Sequence, residues 1–297
     1  MDNAITVLAG ATGNLGGRIA RAILERGANV RAVVRHNSDP DKVEELRKRG
    51  AAIAEVDFNS VSEVTGACQG GSCVISALSG LRDVIVEAQT LLLDAAVKAE
   101  VPRFIPSDYS IDFTKLPPGT NRNLDLRREF HERLDKAPIA ATSILNGMFT
   151  DLLTGEAPFI LFKLKRVVCW ENADQRLDLT TMDDSAEFTA AAALDSSTPR
   201  FLRIAGDQLS ARELVEVVSE VTGENFHLFR PGGLKRLEIL IKITRAILHK
   251  SSALYPPWQG MQYMHNMFSG SAKLEPLDND RYPGMRWTTA RDVLAAR

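Results

Sequence analysis

The segment VLAGATGNLGG, residues 7–17, decides how the chain is read. The apolar run Ile5–Leu8 enters it, and Gly10, Gly13 and Gly16 follow at three-residue spacing. From Gly17 to Arg26 the apolar residues Ile19, Ile23 and Leu24 fall on one helical stripe. A strand that passes through a glycine turn straight into a helix can seat a dinucleotide pyrophosphate. Gly10 then permits the tight turn, Gly13 lets backbone approach the phosphates without a Cβ, and Gly16 lets helix pack on strand. Thr12, Asn14 and Leu15 complete that seat, and the helix N-terminus adds free N–H groups and partial positive charge. A purely structural turn is the competing reading, and the complete βαβ unit around the glycines speaks for the dinucleotide.

Outward from this unit, Asn29–Arg35, Ala51–Asp57, Ser72–Leu78, Arg103–Pro106 and Ile139–Leu145 read as strands. Lys42–Arg49, Val84–Lys98 and Leu124–Asp135 read as helices. Such alternation implies an α/β fold, a doubly wound parallel Rossmann sheet with right-handed crossovers. Near Met148 the character changes. A hairpin-like segment at Phe162–Trp170, a helix near Asp184–Leu194 and a strand at Phe201–Ala205 follow. Ser210 and Glu213 form a capping box for a helix over Ala211–Thr222. The expected organisation is a dinucleotide-binding Rossmann domain over residues 1–150 and a smaller α+β substrate or lid domain over 151–297. The second domain is expected to be discontinuous, with some elements returning to the sheet.

The end of the second strand selects the dinucleotide. NAD enzymes usually place Asp or Glu there to bind the ribose 2′-hydroxyl. This chain has Val33-Val34-Arg35-His36-Asn37, and the Arg35 guanidinium would fork onto a 2′-phosphate that a carboxylate would repel. Lys42 is a candidate second charge, and an Arg merely solvated at a strand end is the bland alternative. Asp57 and Phe58 end the third strand, where an adenine edge would lie, and Ser76 and Ala77 end the fourth beside the cofactor. NADP(H) is the expected cofactor.

Composition narrows the function further. The net charge of −2 gives no electrostatic reason to expect nucleic acid. The three cysteines form no CxxC pair, and five histidines show no metal-ligand spacing, so a reduced cytoplasmic chain without a metal is expected. No run of about 18 apolar residues suggests a transmembrane helix, and Met1–Leu8 runs into a strand rather than a signal peptide. Leu234–Leu248 is basic and amphipathic, which suits a membrane surface; docking on its own domain explains the pattern more cheaply, so no membrane partner is expected. The tail PPWQGMQYMHNMFSG, residues 256–270, suits either an adaptable apolar pocket or core packing.

GATGNLGG, then Arg35, then QTLLLDAAVKAEVPRFIPSDYS at 89–110 and LDNDRYPG at 277–284 carry a family likeness. Together they resemble the NmrA-like and isoflavone-reductase-like branch of the atypical short-chain dehydrogenases. The resemblance covers residues 1 to about 150 well and the remainder more loosely. It implies a Rossmann domain with NADP(H), a smaller substrate domain, and a role for Asn146 where the chain passes the nicotinamide. That branch holds both reductases and redox-sensing regulators.

Departures from the wider group bear on the chemistry. The YxxxK pair of classical short-chain dehydrogenases is absent, because Phe113 stands four residues after Tyr109. Isoflavone-reductase-type enzymes carry a Lys on the helix after the fifth strand. In NLDLRREFHERLD, residues 123–135, Arg127 or a neighbour takes that place. An Arg, with a pKa above about 12, is no general acid at neutral pH. Tyr109, Ser107 and His131 are the remaining candidates for proton transfer, with Arg127 to polarise a carbonyl or bind an anion. Each has a structural alternative: Tyr109 packed, Asp108 turning the chain, His131 solvated on its helix. Two functions stay open. One is an NADP(H)-dependent reductase of a small apolar carbonyl, quinone or conjugated substrate. The other is a non-catalytic NADP(H)-sensing regulator with a protein partner. A homodimer is compatible with either.

Overall fold

The computed structural model describes residues 4–248 and 253–297. The reading of Met1–Asn3 as the approach to a strand lies outside them. The β-branched and apolar run at the start forms β1 (Ile5–Ala9), with Val7, Leu8 and Ala9 fully buried. The chain then alternates through α1 (Asn14–Glu25), β2 (Asn29–Arg35), α2 (Pro40–Lys48), β3 (Ala52–Val56), α3 (Val61–Cys68) and β4 (Gly71–Ser76). It continues with α4 (Gln89–Lys98), β5 (Arg103–Ile105), α5 (Arg122–Leu134) and β6 (Ala140–Ala141). The six strands form one sheet in the order β3-β2-β1-β4-β5-β6, every pairing parallel. A sheet buried on both faces needs apolar residues in succession rather than in alternation, which accounts for VLA and VIS in β1 and β4. This is the doubly wound Rossmann-like sheet expected.

Three details differ from the sequence reading. Helix α3 was not anticipated, because VSEVTGAC is short and holds a glycine; its signal is the cap, where Ser60 Oγ accepts from Glu63 N. The long helix expected from Val84 opens with a π-helical turn, Asp83–Ala88, before α4. The single strand expected over 139–145 is two. Backbone Thr142 N still donates to Phe104 O, but Ser143 N turns to Arg200 O. β7 (Ser143–Leu145) thereby leaves the sheet to pair with a later strand.

Two compact units divide the chain. The first comprises Met1–Tyr109, Leu126–Ile144 and Ser185–Leu202; the second comprises Ser110–Asp125, Leu145–Asp184 and Arg203–Arg297. Most of α6 (Met182–Leu194) belongs to the first. Its C-terminal carbonyls at Ala192 and Ala193 are capped by the buried Arg103 guanidinium of β5, at 2.9 and 3.0 Å.

The second unit holds β8 (Met148–Phe149), β9 (Ile160–Leu161), β10 (Arg166–Val168) and β11 (Arg176–Thr180). After β12 (Phe201–Arg203), which pairs with β7, come β13 (Asp207–Ser210) and β14 (His227–Phe229). They make two small sheets, β13-β11-β8 and β14-β10-β9, and the β9–β10 hairpin overlaps the expected Phe162–Trp170 segment but starts two residues earlier, at Ile160. The helices are α7 (Ala211–Thr222), α8 (Leu234–Ile247), α9 (Pro257–Phe268) and α10 (Ala290–Ala295). The capping box at Ser210 and Glu213 is present on α7. Of the tail, α9 packs as core: Trp258, Met264, Met267 and Phe268 are buried.

All three cysteines are buried thiols. Burial pushes the Cys68 thiol up to about 11 and the Cys73 thiol up to about 12, against weak opposition from Arg31 and Arg103 respectively. Burial also raises Cys169. A thiol-disulfide reagent at about pH 8 is therefore expected to modify none of them in the folded chain within minutes and all of them in denaturant. A fast-reacting thiol in the native protein would contradict this packing.

Candidate functional site

The glycine turn is dictated first by the protein's own backbone. Gly10 has φ +85°, and a Cβ there would lie 2.5 Å from the Ala77 carbonyl oxygen. A Cβ on Gly16 would lie 2.1 Å from the Gly10 carbonyl oxygen. Gly13 differs: it is exposed, its backbone is extended, and a Cβ would approach only Gly10 O, at 3.2 Å. Helix α1 begins immediately after it with no side-chain cap and no acidic residue in its first turn. Its leading N–H groups and dipole thus face outward uncompensated, the arrangement that takes an anion. Asn14 Oδ1 accepts from Arg18 Nε at 3.0 Å, while Thr12 and Leu15 are half-buried. The adjacent β4 end is tied in by Ala77 N donating to Ala9 O at 2.9 Å, and Ser76 Oγ is fully buried without a hydrogen-bond partner.

A cavity of about 650 Å³ opens at the carboxyl ends of β2, β3 and β4; the glycine turn does not line it but meets it at Leu78, whose N a Cβ on Gly10 would approach to 3.2 Å. Arg35, His36 and Asn37 line it from β2, Asp57, Phe58 and Asn59 from β3, and Leu78 from beyond β4. Arg35 N donates to Ser38 Oγ at 3.0 Å, and Ser38 N returns to Arg35 O, fixing the turn. The Arg35 guanidinium makes no hydrogen bond or ion pair among the described residues. Asp57 is occupied: its Oδ1 accepts from Asn59 N and Nδ2, each at 2.9 Å. Its N–H donates to Glu63 Oε2 at 3.0 Å, and that bond is the main reason the Glu63 carboxyl falls below its usual range. Asp83 and Glu87 of the π-helical turn add carboxylates to the lining, whereas Lys42 takes no part in it.

The candidates for proton transfer in the first unit are largely engaged in holding β5. Ser107 Oγ donates to Leu78 O at 2.6 Å, and Ser107 N donates to Gln89 Oε1 at 2.8 Å. Gln89, overlooked in the sequence within an apolar helix, also donates to Ile85 O at 2.9 Å and so braces the π-helical turn. Arg127 Nε donates to the Asp108 carbonyl at 2.8 Å.

His131 is not a solvated helix residue but a buried one, with Nε2 2.9 Å from Asp108 Oδ2. Its Nδ1 stands 3.1 Å from the Arg200 guanidinium, which can only donate. Nδ1 is therefore the acceptor, and the proton sits on Nε2, aimed at Asp108. Arg200 further donates to Ser143 Oγ at 2.6 Å and to Asp135 Oδ1 at 2.9 Å. Burial alone would raise the Asp108 carboxyl; the His131 ring donating to it, helped by Ser143 and Arg127, holds it below its usual range. Arg200 and Ser143 lie 69 and 12 residues from His131, which is why no local sequence pattern marks this network.

Tyr109 follows directly, buried, with φ +32°. Positive φ is rare for a bulky residue, and strain of this kind persists only where surrounding contacts enforce it. Burial pushes its phenol well above the usual range, more than a neighbouring Thr189 hydroxyl offsets. Asn146 belongs to the second unit. Its N–H donates to Ser110 O at 3.0 Å and its carbonyl accepts from Thr180 Oγ1 at 2.7 Å. The side-chain amide is fully buried with neither end paired. An amide left in that state calls for a ligand or an ordered water, because desolvating it otherwise costs about 1–3 kcal/mol.

A family model described as the NmrA-like family matches residues 1–250, and the chain belongs to that family. Among curated relatives, pinoresinol reductase 1 of Arabidopsis thaliana is 27% identical over 236 residues, covering 73% of this chain and 74% of the relative. Among solved structures, AtPrR2 with NADP+ and (+)pinoresinol superposes with a TM-score of 0.82 at 21% identity, covering 100% of this chain and 99% of that one. The NADPH-dependent quinone oxidoreductase QOR2 of Escherichia coli, complexed with NADPH, gives 0.77 at 17% identity, covering 98% and 99%. These superpositions establish the shared fold.

The Asp108–His131 pair has a measurable signature. Replacing His131 with Ala strands a buried carboxylate, and a loss of about 3 kcal/mol or more in unfolding free energy is expected. Because the folded Asp108 carboxyl lies below its ordinary value of 3.8, its contribution is fully present above that value and is lost as pH falls below it. Asp108→Asn should therefore melt with a flatter acid limb than wild type below about pH 4. Identical acid limbs would show that another group carries the effect.

Proposed function

We propose that the chain is an NADP(H)-dependent oxidoreductase acting on a small, largely apolar carbonyl, quinone or conjugated substrate. The observation that carries this reading is Arg35: a guanidinium without a partner among the described residues, lining a cavity beside an uncapped helix N-terminus. The residues fit the cofactor. Gly13, Asn14 and Leu15 at the start of α1 would hold the diphosphate, Arg35 the 2′-phosphate, and Phe58 with Leu78 the apolar wall for the adenine. When bound there, the nicotinamide supplies hydride transfer.

The chain's own task is then to orient and to manage one proton. Ser107 and Arg127 already donate to the carbonyls of Leu78 and Asp108, so in this reading they position the end of β5. Tyr109 holds its proton on Oη far beyond neutral pH, leaving a neutral phenol to stabilise negative charge developing on a substrate oxygen. The alternative of a non-catalytic regulator rests on the missing Tyr–Lys pair; the reductase names among the curated relatives support the enzyme.

Calorimetric titration is the first test. Wild type is expected to bind NADPH more tightly than NADH. Arg35→Ala should lose about tenfold or more of the NADPH affinity, as for a lost charge-assisted hydrogen bond, and little of the NADH affinity. Absorbance of the reduced nicotinamide, followed with a panel of quinones and enones, then decides turnover. Tight NADPH binding with no oxidation by any of them would favour the regulator.

A further inference from the structure

Helix α8 docks on the second unit through Leu237 and the half-buried Leu234, Leu240 and Ile241. Leu237 is its one fully buried side chain. Glu238 meets His265 of α9 at 3.0 Å, and the Arg245 guanidinium stands 5.3 Å from the centre of the Trp258 ring, also on α9. The face turned away from α9 carries Ile239, Ile243 and Ile247, four residues apart and therefore in line. They are 56%, 52% and 72% exposed. Lys235, Arg236 and Lys242 flank the same face and are exposed. Single exposed apolar residues need no explanation, but a row of three isoleucines edged with cations does.

We propose that this face of α8 binds flat against an anionic phospholipid bilayer. The isoleucines enter the boundary between headgroups and acyl chains, while Lys235, Arg236 and Lys242 meet lipid phosphates. Charge separates this occupant from a second copy of the chain. A two-fold contact would set the face against itself, bringing the three cations opposite the same three. The helix has one carboxylate to relieve them, Glu238, and that is turned to His265. An anionic surface is complementary instead. The attraction is local, since the whole chain carries −2. It is also peripheral, because no helix among the described residues is long and apolar enough to cross a membrane.

Co-sedimentation with phospholipid vesicles tests the idea, with or without dinucleotide. Wild type is expected to pellet with vesicles containing about 30% phosphatidylserine and to stay in solution with pure phosphatidylcholine. Ile243→Glu should reduce partitioning at least about tenfold, and each of Arg236→Glu and Lys242→Glu at least about fivefold. Melting temperatures should stay unchanged for Ile243→Glu and Lys242→Glu, whose side chains are exposed; Arg236→Glu also loses the 2.7 Å bond from Nη1 to Pro231 O, so it is read beside Lys242→Glu. Raised salt should weaken binding. The proposal is overturned if wild type ignores the anionic vesicles, binds both kinds equally, or forms a solution dimer that Ile243→Glu dissociates.

Discussion

The approach of α1 to the turn before it is the constraint on which the first unit depends. With a Cβ at Gly16 2.1 Å from the Gly10 carbonyl, and one at Gly10 2.5 Å from Ala77 O, no side chain larger than hydrogen is tolerated at either point. That closeness draws the N-terminus of α1 onto the ends of β1 and β4. Once it is there, the helix presents its unpaired N–H groups at the carboxyl edge of the sheet, where β2 and β3 also deliver Arg35 and Phe58. Packing and binding thus make the same demand on the sequence. Gly10 and Gly16 are explained by packing alone, and Gly13, where a Cβ would meet one atom, Gly10 O at 3.2 Å, is the glycine that packing dictates least.

A second constraint operates at β5. Three residues long, this strand ends in Pro106-Ser107-Asp108-Tyr109, and Ser107 is tied to Leu78 and Gln89 while Asp108 is tied through its carbonyl to Arg127 and through Oδ2 to His131. A buried carboxylate is costly unless paired and hydrogen-bonded. The pairing is what keeps Asp108 ionised, and the ionised group in turn fixes the tautomer of His131 and the place of Arg200. Tyr109 takes up its strained backbone directly after this anchored residue. The strain and the network are therefore best understood together: the network supplies the rigidity that an unfavourable φ requires.

Legibility in the sequence followed the range of the interactions. The parallel sheet was readable because each βαβ unit is local, and the capping boxes because they span three residues. The cavity-lining set Arg35, Asp57 and Phe58 was readable for the same reason, since strand ends in this fold face the ligand edge. The Asp108–His131–Arg200 network was not, because its members come from three separate stretches of chain and no period relates them. Helix α3 escaped because eight residues with a central glycine carry little periodicity, although Ser60 and Glu63 signalled its start. The tail 256–270 divided two readings that composition cannot separate, and burial of Trp258, Met264 and Met267 gives that stretch to the core of its unit.

Helix α8 shows why amphipathicity must be read with its sign. A moment says only that apolar and polar residues segregate; it does not say which side the protein covers. Here the unit covers Leu237 fully and Leu234, Leu240 and Ile241 in part, while Ile239, Ile243 and Ile247 on the other side are left outside. Docking through that stripe leaves a second apolar line beside positive charge on the outer side, and water solvates such a surface poorly. Retaining it costs solubility, so a partner that takes up both the isoleucines and the cations accounts for the pattern, whereas packing inside the unit does not.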